Sequence, residues 1–171
     1  ARLLLQLDEP ALTAVGDGTI PTASGFSRHR RVEAPELAGA LKPLAEDAWL
    51  HCCAPGKWLP VAQRAGFAAA AVDTRLFLEP AGIDALAEWA QAGRGLALGV
   101  VNSATGRLQG VDELVRETLR VLRPLELPVP SVDSGVLLTT ACGLASWRVT
   151  EVPGQLAALR RAATLVAEEL Q

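Results

Sequence analysis

Methionine is missing from all 171 residues, the initiator included, and the chain opens directly on a strand-like run, Arg2 to Asp8. Both features are expected of a piece cut from a longer protein. Cysteine is scarce and odd in number, three in all, with Cys52 and Cys53 adjacent. Neighbouring cysteines rarely bridge each other and a disulfide framework uses an even, dispersed set, so a reduced cytoplasmic protein is expected. No apolar run reaches the ~18–20 residues needed to cross a bilayer. The short run after Arg2 stops at Asp8, which does not fit a signal peptide. Basic residues, 16 against 19 acidic ones for a net charge of -3, form no dense patch. A nucleic-acid partner therefore has no electrostatic footing. A glycine-rich phosphate loop is also lacking: the first apolar run gives way to Asp8-Glu9-Pro10, which disfavours a dinucleotide fold.

What is present is apolar material, 50% of the residues, enough for one compact core and a single domain over 1–171. Short apolar runs recur at Leu3–Asp8, Ala48–Cys53, Ala68–Asp73, Gly95–Asn102 and Val136–Cys142. Runs of this kind without alternation predict strands buried on both faces, as in parallel sheets. Helical spacing lies between them: from Pro35 to Glu46 with a break at Pro43, then Trp58–Ala65, Ile83–Gln91 before Gly93, Val111–Leu122 before Pro124, and Pro153–Leu170. The fold class is α/β, about five βα units, and two architectures compete: an open doubly wound sheet, or part of a TIM-type (β/α)8 barrel. A complete barrel needs about 250 residues, so 171 residues and five units fall short of closure.

The strand ends favour the barrel, because they carry Asp8, His51, Cys53, Asp73, Asn102 and Cys142, and barrel chemistry sits where strands end. The long connection from Pro10 to Glu33 is expected to cover that end. His51 and Cys53, at i and i+2, share one face of a strand while Cys52 faces the other. Alone, a His-x-Cys pair is more often structural than a ligand pair. Cys142, followed by Gly143, is a candidate third ligand. Asp73 reads equally as a carboxylate ligand or as a cap and partner of Arg75. A His, two Cys and a carboxylate suit zinc better than magnesium or calcium, and such a site activates thiols.

Gln6-Leu7-Asp8-Glu9-Pro10-Ala11-Leu12, His51-Cys52-Cys53 and Cys142-Gly143-Leu144 stand in the order of motifs in the cobalamin-independent methionine synthase family, which the chain resembles over nearly its whole length. That resemblance implies a zinc barrel from its fourth strand to its eighth. It implies zinc on His51, Cys53, Cys142 and Asp73, with Asp8 holding the amino group of homocysteine. The implied reaction moves a methyl group from 5-methyltetrahydrofolate to the homocysteine sulfur, in methionine biosynthesis. Three positions depart from the family pattern. Asp73 stands for a glutamate, Asn102 lies where a histidine proton donor is expected, and Ala14 replaces a folate-contacting glutamate. These leave open another methyl donor, another thiol, or a zinc-binding relative without activity. A decarboxylase on the same barrel type is disfavoured because it needs no metal. The partial barrel alone is expected to be inactive and prone to dimerise through its open edges. His29 reads as a solvated loop residue, and Arg28, Arg30 and Arg31 beside it could attract an anionic tail. Trp58, Trp89 and Trp147 read as packing anchors, Trp147 being the best placed to line a pocket.

Overall fold

The computed structural model describes residues 4–55, 57–128 and 135–171; the expected strand start at Leu3 lies outside them. Contacts divide the chain into two compact units, 1–71 and 72–171, with the division inside one strand.

In the first unit, β1 (Leu5–Asp8) pairs in parallel with β2 (Ala48–Cys52), setting Leu5 opposite Ala48 and Asp8 opposite His51. The Glu9 amide extends that ladder by donating to the His51 carbonyl at 2.9 Å. The connection from Pro10 to Glu33 is more ordered than a loop. It contains α1 (Leu12–Asp17), ended by Gly18 at φ 64, and an antiparallel bridge between Pro21 and Arg28. Gly18 is required there twice over, since a Cβ would also meet the Arg31 backbone nitrogen at 3.0 Å. Next, α2 (Ala34–Leu41) starts with Pro35 in its first turn and tightens at Pro43 into a 3-10 turn, Lys42–Leu44. α3 (Leu59–Ala65) packs on α2 and is closed by Gly66 at φ 100. Leu50, Cys52, Trp58 and Phe67 are fully buried.

The second unit begins within β3 (Ala69–Asp73) and adds β4 (Gly95–Val101) and β5 (Val136–Thr140), which pair in parallel. It also carries α4 (Pro80–Gln91), α5 (Val111–Leu125) and α6 (Val152–Glu169). α5 buries Leu114, Thr118, Val121, Leu122 and Leu125 along one stripe and packs on α4 and α6. It runs past the expected stop at Leu122, with Pro124 inside its last turn. So near a helix end a proline forfeits little of the hydrogen-bond ladder, and Glu126, at φ 49, closes the helix instead.

The sheet order is β1-β2-β3-β4-β5. This decides between the two architectures. A doubly wound sheet reverses its strand order at a switch point, whereas a barrel keeps sequential neighbours. The chain is a five-stranded segment of a TIM-barrel-like α/β fold. Burial on both faces holds for β2, β3 and β4 but not for the end strands, where Leu5 is 57% and Leu137 53% exposed. An end strand has one neighbour in the sheet, which leaves its outer edge open. No helix among the described residues is long and apolar enough to cross a membrane.

Candidate metal centre

Each strand delivers a chemical residue at its carboxyl end. Asp8 ends β1, His51 and Cys53 straddle the end of β2, Asp73 ends β3, Asn102 follows β4, and Cys142 lies two residues past β5. The sequence folds this way because apolar runs make buried strands, and the first polar residue marks where the chain leaves the core.

His51 is the best-defined member. Its ring is buried, at 8% exposure, and Nδ1 lies 3.0 Å from the Ala71 carbonyl oxygen. A carbonyl only accepts, so Nδ1 carries the hydrogen, and in the neutral ring Nε2 is the nitrogen with the lone pair. Nε2 is buried with no hydrogen-bond partner among the described residues. A buried polar atom left unsatisfied costs about 1–3 kcal/mol, and a backbone carbonyl that fixes the ring in this way is the usual support of a metal-ligating histidine.

Cys52, one residue on, is completely buried, and burial pushes its thiol above the ordinary range despite hydrogen bonds from the Ala54 backbone and Thr13. It belongs to the core, as strand alternation requires. Cys53 is half-buried and Cys142 exposed, and all three cysteines are thiols. His51, Cys53 and Cys142 together make a donor group that could hold a metal ion. One imidazole nitrogen and two cysteine sulfurs are donors of the kind that hold zinc.

Asp73 is not in that group. Its carboxylate caps the 3-10 turn Thr74–Phe77 through the Arg75 amide at 3.1 Å, and the Arg75 guanidinium grips both oxygens, at 2.9 and 2.6 Å. Asp8 is exposed, accepting from the Gln6 side-chain amide at 2.8 Å. The Asn102 amide donates to Gln109 Oε1 at 2.6 Å, while its side-chain oxygen accepts from the Ala104 amide. Ala14 lies in α1. His29 is exposed. The arginines around it have partners of their own: Arg28 donates to the Thr19 carbonyl, Arg30 pairs with Glu36, and Arg31 with Glu33. Trp58, Trp89 and Trp147 are all buried, consistent with packing anchors.

A set of contacts near Cys142 has no local sequence signature. The Ser103 carbonyl accepts from Ser146 Oγ at 2.7 Å and from the Trp147 indole at 3.0 Å. Buried Gln155 clamps Gln109, accepting from its amide at 2.8 Å and donating to its carbonyl at 3.4 Å. These partners are 43 to 46 residues apart, so no periodicity could reveal them.

Neither models of protein families nor curated proteins match this chain. Among solved structures it is similar to a B12-independent methionine synthase from Shewanella sp. W3-18-1 in complex with selenomethionine, at a TM-score of 0.65 and 17% identity. The match covers 98% of this chain and 49% of that one, so this chain spans about half the length of its structural neighbour. At that identity the likeness establishes the fold, a segment of a barrel of this kind.

Proposed function

We propose that this chain is the zinc-binding portion of a thiol S-methyltransferase, with His51, Cys53 and Cys142 as the ligands. The observation that carries the reading is the grouping of those three donors around a buried imidazole nitrogen that has a lone pair and no partner. A bound zinc would hold a substrate sulfur as thiolate near neutral pH, making it nucleophilic without a separate base.

The remaining work falls to the chain. The Ala71 carbonyl keeps the His51 ring in one tautomer and one orientation. Cys53 and Cys142 supply soft, anionic donors that favour zinc over hard cations. Asp8, opposite His51 in the β1–β2 register, offers a carboxylate to the ammonium group of an amino-acid thiol such as homocysteine. Asp73 would serve as a fourth ligand in competition with Arg75, which holds both its oxygens.

The methyl donor in this reading is folate-like, a 5-methyltetrahydrofolate serving methionine synthesis. Two positions favour a second reading, in which a related barrel uses another donor or thiol. Asn102 has no imidazole to protonate a departing folate, and Ala14 has no carboxylate to hold one. Zinc analysis of the purified protein, followed by a methyl-transfer assay on the full-length protein with folate, corrinoid and S-methyl donors in parallel, tests both. About one zinc per chain with turnover of a single donor is the expected outcome. A reconstituted protein that takes up no zinc removes the proposal.

A further inference from the structure

The structure assigns Ser146 and Trp147 a role as positioning residues for Cys142, acting through the Ser103 carbonyl; the inference rests on the zinc reading above. Cys142 stands in a segment pinned on both sides. On its N-terminal side the Ala141 amide donates to the Val101 carbonyl at 2.9 Å, and the backbone crosses β4 where only glycine fits. A Cβ on Gly99 would lie 2.6 Å from Ala141 Cα and 2.5 Å from the Val72 carbonyl oxygen. The β4–β5 register also shifts between Gly99 and Val101, and bulges of this kind commonly re-aim a strand end beside a site. Thr140 Oγ1 donates to the Cys142 carbonyl at 2.8 Å, which orients the peptide that follows.

On the C-terminal side, Ser146 Oγ and the Trp147 indole converge on one acceptor, the Ser103 carbonyl. Ser103 is itself buried, and its loop is held at Asn102 and Gln109 by the bonds from Gln109 and Gln155. The acceptor is therefore a fixed point and the turn from Cys142 to Trp147 is tied to it. Exposed thiols on loops ordinarily sample many positions. A tether at this turn restricts Cys142 before any ion arrives, lowering the entropy lost on binding.

The test combines Trp147→Phe, which keeps the ring and removes the donor, with Ser146→Ala, alone and together; Ser146→Thr serves as rescue. Zinc affinity by chelator competition and the thiolate-to-metal absorption of the cobalt(II)-loaded protein are the first readouts. The double variant is expected to bind zinc about 10- to 100-fold more weakly and to lose part of that absorption, with its circular dichroism unchanged and Ser146→Thr near wild type. Amide exchange of residues 141–147 in metal-free protein is the second readout and needs no ion. Faster exchange in the double variant supports the tether. Wild-type affinity, absorption and exchange in a folded double variant overturn it. If wild-type protein binds neither metal, the zinc reading falls, and the exchange rates alone decide whether this turn is held by Ser103.

Discussion

His51 Nδ1 meets the Ala71 carbonyl oxygen at 3.0 Å, and this contact leaves Nε2 buried and without a partner among the described residues. An orphaned nitrogen so placed is a liability unless something binds it. Replacing His51 with Leu removes the liability together with the donor. His51→Leu also takes the donor from the Ala71 carbonyl, so it is expected to stay folded with a loss of stability of up to about 1–3 kcal/mol, and to lose its zinc on dialysis against a weak chelator. Metal content after dialysis is the measurement; retention of one zinc would contradict the assignment.

The three cysteines should separate cleanly. Cys53→Ser and Cys142→Ser are expected to abolish tight zinc binding, whereas Cys52→Ala should keep it, because Cys52 is buried in the core and outside the ligand group. Zinc should also raise the melting temperature of wild type and Cys52→Ala only, since a ligand of the folded state stabilises it by mass action. Thermal scans with and without zinc read this out.

Asp73 and Arg75 form a two-point ion pair in which Arg75 is 40% and Asp73 9% exposed. Arg75→Ala frees the carboxylate. If Asp73 is the fourth ligand, zinc affinity should rise about 10-fold, roughly 1.4 kcal/mol, at some cost to stability from the uncompensated carboxylate. Chelator competition decides it, and unchanged or weaker binding would confine Asp73 to its cap.

Gly99→Ala is expected to destabilise the protein by about 1–3 kcal/mol, because the atoms a Cβ would strike are backbone atoms that cannot rotate away. Denaturant unfolding measures it. A variant as stable as wild type would mean that β4 and the Ala141 segment are less closely apposed than described.

Arg107 and Glu113 give a prediction in acid. The Arg107 hydrogen bonds and charge hold the Glu113 carboxyl below the usual carboxylate range. Stability from this pair is complete above the ordinary glutamate pKa of about 4.3 and is lost as pH falls through the lower folded-state value. The effect is small because Arg107 is largely exposed. Arg107→Leu should flatten that part of the pH–stability curve below pH ~4.3, and an identical acid limb in both proteins would count against the pair.

Much of this molecule was legible in the residue order. Apolar runs of strand length with polar ends located each described strand to within about two residues, and helical spacing located the described helices between them except α1, which lies in the connection expected to be a covering loop. The i, i+2 relation of His51 and Cys53 separated them from Cys52 because side chains alternate across a strand by geometry alone. Tertiary structure decided what depends on neighbours distant in sequence. Sequential strand order, and with it the barrel over the doubly wound sheet, is a matter of pairing. Pro124 was absorbed into α5 because packing of the helix stripe outweighs one lost hydrogen bond. The tether of the Cys142 turn to Ser103 joins loops more than 40 residues apart. Local chemistry is written in the chain at spacings of two to four residues; the meeting of loops is set by how the sheet stacks its strands, and only the fold contains that information.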